Sequence, residues 1–291
     1  MVIHILRQAR RILLLALVGG LLSATMVRLS PGFGTDEHDL SLALSDASRE
    51  ALRAERMADA NIPRFYMHYL AGVVHGNFGF SRSLNRPVSE LLEERLPETL
   101  SSVIYGMAGG IASGVLFALL TVFWRVRLWD VLAGVWSGLF LSVPAAVLAL
   151  IFLWTGGNSR WAIGLLVFPH VYRYAKNLLV QSMASTHVLA ARARGIGWPR
   201  ILLAHVLRPV GPQLFAVAGI SASLAFGVSI PVEVICDVPG IGQLVWKAAL
   251  GRDLPLLVTI TILVCLMTMV INAAADLIIV AWAGRSHEIA I

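Results

Sequence analysis

Charge is what this sequence has least of. Asp, Glu, Lys and Arg make up 14% of its 291 residues, 57% are hydrophobic, and the mean hydropathy is +0.77. Soluble domains carry about 25% charged residues, so one aqueous core could not hide this much apolar surface and lipid is the expected solvent. Cysteine is almost absent. Cys236 and Cys265 are the only two, in or beside apolar runs, which excludes a disulfide framework and a thiolate metal cluster. No G-x-x-x-x-G-K-[ST] loop occurs, so no ATP site is legible in the chain itself. The Gly195–Gly197 and Gly240–Gly242 fragments lack a third glycine and a preceding strand pattern, so they are not dinucleotide sites. There is no H-E-x-x-H and no G-x-S-x-G elbow. The histidines are scattered, and His68 and His75 read as surface residues rather than metal ligands. The formal charge of +6 comes from arginines spread over short loops, a pattern that encodes membrane topology and argues against a nucleic-acid partner.

Long apolar runs are what the chain does have. Six stretches, roughly 12–30, 99–123, 131–154, 158–178, 212–236 and 255–283, approach the ~20 residues of a spanning helix. Arg7, Arg10 and Arg11 precede the first of them, as in a secretory signal, but about 18 apolar residues from Ile12 to Leu29 match a span, and a retained helix is expected. The fourth carries Arg173 and Lys176 and is interrupted by Pro169, so its two charges are expected near a membrane face, where long side chains snorkel. With the N-terminus inside, segments 1–11, 124–130, 187–210 and 284–291 are cytoplasmic and hold ten arginines against Asp130 and Glu288. The inverse orientation would export the most basic short loops. Trp124 and Trp129 bracket the first inner turn, Trp154 and Trp161 a tight outer turn, and Trp282 the last inner boundary, whereas Trp136 is expected in the core.

The expected fold is therefore all-α: a polytopic membrane protein of about six helices, with an extracytoplasmic segment between the first and second. The chain divides into a stub and first helix (1–30), the outer segment (31–97) and a five-helix core (98–291). Within the outer segment, "SDASREALRAERMAD" reads as a short soluble helix with Glu50–Arg53 and Arg56–Asp59 as i,i+3 pairs. "PVSELLEERLPETL" reads as a surface helix, with Pro97 marking entry to the second span. Two acids, Glu233 and Asp276, fall near span ends. They are either proton-relay groups or structural ones, Glu233 capping the outer mouth and Asp276 packing between helices.

One cytoplasmic segment is more than a turn. "HVLAARARGIGWPRILLAHVLRP", residues 187–209, contains Arg192, Arg194, Arg200 and Arg208 and no acid. Ala190, Ala191 and Ala193 are small, Gly195 and Gly197 suit a sharp bend, and Trp198–Pro199 open a second helix. Helix, bend, helix makes either a docking knob for another protein or a basic connector obeying the positive-inside rule.

This stretch resembles the cytoplasmic loop of binding-protein-dependent ABC importer permeases, E-A-A, three residues, Gly, nine residues, I-x-L-P. Ala190, Ala191, Gly195 and Leu207 match it; Leu189, His205 and Arg208 replace the acid, Ile and Pro. Arg192, Arg194, Gly195, His205, Leu207 and Arg208 fit the version of the dipeptide/oligopeptide/nickel subfamily, "R-T-A-R-A-K-G-L…H-A-L-R". "HGNFGFSRSLNRPVSELLEERLPETL", "LSVPA", the Arg173/Lys176 pair and "VEVICDVPGIGQLVWKAALGRDLPLL" resemble further segments of that subfamily in the same order. The last is similar to its outer gate segment, with Pro239, Gly240, Gly242 and Asp253 as the residues of interest. In it, Gln243–Leu250 reads as a short amphipathic helix stopped by Gly251. Relatives carry a longer connection between the third and fourth spans than the roughly six-residue turn here.

The resemblance implies an ABC type I importer permease-like fold in the bacterial inner membrane, both termini cytoplasmic. It implies a second related permease subunit, a heterodimer rather than a homodimer, two cytoplasmic ABC ATPases docked on 187–209, and an extracytoplasmic substrate-binding protein. It implies no catalysis and no cofactor in this chain, with ATP and Mg on the ATPases, and peptides as cargo. Nickel or sugar-type cargo and a proton-coupled secondary transporter are the alternatives, and an intramembrane enzyme is a third class.

Overall fold

The computed structural model describes residues 2–29, 62–124 and 127–288. The Glu50–Arg53 and Arg56–Asp59 pairs and their helix lie outside the described residues. Helices dominate: α1 (Val2–Leu29), α2 (Ile62–Val74), α3 (Val88–Trp124), α4 (Arg127–Ser142), α5 (Ala145–Trp154), α6 (Ser159–Met183), α7 (Thr186–Ala193), α8 (Trp198–Ile235), α9 (Ile241–Leu250) and α10 (Leu254–Glu288). A two-stranded hairpin, β1 (Phe80–Ser81) and β2 (Arg86–Pro87), precedes α3. Among the described residues, four helices, α1, α3, α8 and α10, are long and apolar enough to cross a membrane by themselves.

The third expected span is a correction. Residues 131–154 do not form one rod; α4 and α5 meet at 97° across Val143–Pro144. Pro144 sits at the N-cap of α5 with φ −59° and ψ 143°, outside the helical region, and its ring nitrogen has no N–H to continue the ladder of α4. The fourth expected span forms a helix longer than expected, since α6 continues to Met183, but α6 is not among the helices apolar enough to cross a membrane by themselves. Pro97 marks no boundary in the backbone, because α3 runs through it from Val88. Trp136 is not a core residue: it is 56% exposed, stacks on Phe140, and with Phe117, Phe152, Trp161 and Phe168 lines an apolar cavity of about 740 Å³.

The chain splits into two compact units. The first is Met1–Leu96 with Leu244–Met267. Tyr66 and Tyr69 of α2 are buried with Ala24, Leu254 and Val258, and each hydroxyl is satisfied. Tyr66 donates to the Leu17 carbonyl at 2.6 Å, and Tyr69 pairs with the Thr259 hydroxyl at 2.7 Å. Two bulky rings thus close over α1 and α10 without leaving a polar atom unpaired in an apolar core.

The second unit, Pro97–Gln243 with Thr268–Ile291, is a helical bundle. Gly106, Gly110 and Gly114 recur every fourth residue on α3 and face Ile163, Val167 and Val171 at the same period on α6. A Cβ on any of the three would come within 2.8 Å of those side chains or of a backbone oxygen. Small residues at i, i+4, i+8 let two helices approach closely where lipid offers no hydrophobic driving force. Further along, α8 meets α10 where Gly219 faces Ala275 and where the Ser223 hydroxyl donates to Asn272 at 3.0 Å.

Candidate functional site

The 187–209 segment folds as a helical hairpin. α7 ends at Ala193, Arg194 is its C-cap, and Gly195 follows at φ +74°. The Gly195 N–H donates to the Arg192 carbonyl at 2.9 Å and the Ile196 N–H to the Ala191 carbonyl at 3.2 Å. This Schellman closure needs a left-handed residue, which glycine supplies without Cβ strain. α8 then starts from Gly197, with Pro199 in its first turn, where the missing N–H costs nothing. Ile201–Leu207 of α8 are wound as a π-helix, a rare geometry that concentrates at functional places. His187 Nε2 donates to the His205 carbonyl at 2.9 Å and ties the two arms together.

One side of the hairpin is glued to the bundle. Val188, Ala191, Ile201 and Val206 are buried with Ala118, Val122, Tyr172, Ala175 and Leu179. The other side is open: Leu189, Ala190, Ala193, Arg194, Gly195, Pro199, Arg200, Leu203 and Arg208 are exposed. Among the described residues, none places an atom within 4 Å of a Cβ built on Gly195. The sequence-derived set therefore divides. Ala190, Arg194, Gly195 and Arg208 present outward, Ala191 packs inward, and His205 and Leu207 are half-buried at the root. Arg192 lies between, its guanidinium 5.2 Å from the Trp198 ring, with Nε and Nη2 buried and without a hydrogen-bond partner among the described residues. Composition alone did not single out Leu189 and Leu203, which are 53% and 66% exposed. At 1.5 Å per residue the 38 residues of α8 extend about 55 Å against a hydrocarbon core of about 30 Å, so one end must project.

The 232–257 segment folds as two capped turns. In the first, Glu233 is 1% exposed, and its Oε2 accepts the Gly242 N–H at 2.7 Å. Thr99 Oγ1 accepts the Ile241 N–H at 2.7 Å. Together they satisfy two orphan donors at the start of α9, where negative charge is favoured. Oε1 of Glu233 has no hydrogen-bond partner among the described residues. Gly240 is required by space: a Cβ there would overlap the Glu233 carboxylate and lie 2.6 Å from Thr99 Oγ1. At Gly242 it would lie 2.7 Å from the Ile230 backbone. Pro239 precedes this turn, and Gln243 Nε2 donates to Asp237 beside it.

In the second turn Asp253, 3% exposed, accepts from Ser81 Oγ at 2.7 Å, Ser83 Oγ at 2.9 Å, Ser83 N–H at 3.0 Å and Leu256 N–H at 3.2 Å. One carboxylate thereby caps α10 and holds the β1–β2 loop. Gly251 does not carry the left-handed φ expected at the stop of α9; Arg252 does, at +48°. Gly251 is instead needed for clearance, because a Cβ would lie 2.5 Å from that of Ser83.

Residues 110–285 match the family described as the binding-protein-dependent transport system inner membrane component. A probable peptide ABC transporter permease of Sinorhizobium fredii is 24% identical, over 94% of this chain and 96% of its own length. A nickel import system permease of Staphylococcus aureus is 24% identical, over 88% and 83% respectively. A glutathione transport system permease of Salmonella typhimurium is 25% identical, over 74% and 76%. Among solved structures, the methionine ABC transporter MetNI in an inward-facing conformation aligns with TM-score 0.56 and 21% identity, covering 67% of this chain and 95% of that one. That likeness carries the fold, and the match over 110–285 carries the membership: this chain belongs to the family of binding-protein-dependent transport system inner membrane components.

Proposed function

We propose that the chain is one of two permease subunits of an ATP-driven importer for short peptides. The carrying observation is the hairpin, buried on one side against α6 and open on the other with a small, basic, partly apolar face. Such a knob passes a push from a docked ATPase into the bundle as a rigid body, and rigid two-position elements are what coupling between distant sites requires. Of the expected docking residues Ala190, Ala191 and Gly195, docking is assigned to Ala190 and Gly195, while Ala191 anchors the hairpin to the bundle; Leu189 and Leu203 are the apolar contacts and Arg194 and Arg208 the polar ones. The chain itself performs no catalysis; ATP and Mg belong to two cytoplasmic ATPases. A second, related permease completes the pathway, and an external binding protein delivers cargo. The N- and C-termini lie in the cytoplasm, on the side of the arginine-rich short loops.

Peptides are favoured because relatives named for peptide and for glutathione, itself a tripeptide, cover most of this chain. The nickel relatives are as similar, so cargo is settled by uptake of tri-alanine against a nickel chelate. Coupling is tested with Gly195→Leu. A left-handed φ costs an L-residue about 1–2 kcal/mol, and the side chain would protrude from the docking face. The variant is expected to insert normally, to lose uptake and to lose cargo-stimulated ATPase activity. Normal uptake would overturn the assignment.

A further inference from the structure

Of the four arginines in 187–209, Arg194, Arg200 and Arg208 are exposed and Arg192 alone turns inward. It sits in the last turn of α7, where the helix dipole favours a cation. Its Nε and Nη2 are shut off from water and find no hydrogen-bond acceptor among the described residues. Buried N–H groups without an acceptor destabilise a fold, so an apolar residue would suit this place better on packing grounds. What the guanidinium does meet is the Trp198 ring, 5.2 Å away at the start of α8. A cation over an indole face is attracted most strongly where water is excluded.

The position of this contact gives it a use. Arg192 lies three residues before Gly195 and Trp198 three residues after it, so the pair spans the left-handed bend and closes the tip of the hairpin. The root is closed by His187 Nε2 on the His205 carbonyl. At the bend the backbone adds the Gly195 and Ile196 hydrogen bonds. Trp198 also reaches beyond the hairpin. Its ring lies 6.5 Å from that of Phe123, at 46°, one residue from the end of α3. With Ile196 it packs against the buried cluster that contains Ala118 and Val122 of the same helix.

We infer that Arg192 is a positioning residue: it clamps Trp198 across the bend, and through Trp198 and Phe123 a push on the docking face reaches α3 as a rigid displacement. Arg192 itself touches neither ATPase nor cargo. With the clamp gone, α7 gives way at the bend when the ATPases move, and ATP is hydrolysed with less transport. The clamp stands on the geometry alone; the transmission rests on the importer reading above.

The test uses the whole transporter: this chain, its partner permease, the ATPases and the binding protein. Arg192→Leu removes the cation and keeps a good helix former, so it is expected to fold in normal yield and to co-purify with the ATPases. Amide hydrogen exchange, read on a peptide spanning 192–200, is expected to quicken about fivefold or more, as loss of one desolvated cation–π contact gives. Trp198→Leu should do the same, and the double variant no more than the worse single, because the two residues share one contact. Arg192→Lys keeps the charge and should restore part of the protection. In vesicles, tri-alanine imported per ATP hydrolysed is expected to fall at least about twofold in Arg192→Leu. Unfolded molecules contribute to neither side of that ratio, so a loss of folded protein leaves it unmoved. Unchanged exchange overturns the clamp. Quickened exchange with an unchanged ratio overturns the transmission. Loss of the ATPases on purification makes Arg192 a docking contact and overturns its positioning role. A parent transporter that carries a nickel chelate and no tri-alanine sinks the peptide reading, and the ratio is then taken with that chelate. A parent that imports nothing sinks the importer reading and the transmission with it, while the exchange still decides the clamp.

Discussion

Glu233 and Gly240 show how much a single position can decide. The carboxylate is held by one backbone N–H, with the other oxygen left over, and the glycine is there because nothing larger fits against it. Gly240→Ala is expected to destabilise the purified protein by about 1–3 kcal/mol through overpacking. Gly134→Ala, in open space on α4, should be neutral or stabilising by up to about 1 kcal/mol; thermal melting in detergent compares the two. Glu233→Gln keeps an acceptor for Gly242 and should retain more uptake than Glu233→Ala. Equal losses in the two would point to the proton, and so to the relay that the sequence left open. Asp253→Ala removes the acceptor of four donors and is expected to cost about 2–3 kcal/mol, read in the same melting experiment.

Among elements, the glycine row of α3 is the feature that sequence reading passed over. Gly110→Leu would drive its side chain into the Gly164 carbonyl and Val167, and is expected to lower the yield of folded protein sharply, whereas Gly138→Leu, with no described neighbour within 4 Å, should fold. The period-four signal was present at 106, 110 and 114, but a glycine row says nothing about which helix it meets until Ile163, Val167 and Val171 are placed opposite. The hairpin was more legible, because its signals are local: a left-handed stop at Gly195 and a proline opening the next helix are properties of a few adjacent residues. The 97° break at Pro144 was visible as a proline within an apolar run. Proline permits a kink or a stop, and hydropathy cannot tell a broken span from a straight one. Asp253 was singled out by resemblance, but its tie to Ser81 and Ser83 joins residues about 170 positions apart, which no local pattern encodes.

Taken as a whole molecule, the chain is a membrane bundle whose apolar content, basic loops and projecting hairpin are parts of one device. Low charge dictates lipid as solvent. The helices that result must satisfy their ends internally, and Glu233, Thr99 and Asp253 do so at the starts of α9 and α10. The hairpin carries Arg194, Arg200 and Arg208 outward, and residues 187–209 contain no acid to neutralise them. The central claim is that movement of this bundle is driven through the hairpin by ATP hydrolysed elsewhere. Uptake of tri-alanine by the assembled transporter in vesicles tests it most directly. The first condition is ATP on the hairpin side without a proton gradient; the second is a proton gradient with ATPases lacking the phosphate-loop lysine. The account predicts accumulation only in the first condition; accumulation in the second would contradict it.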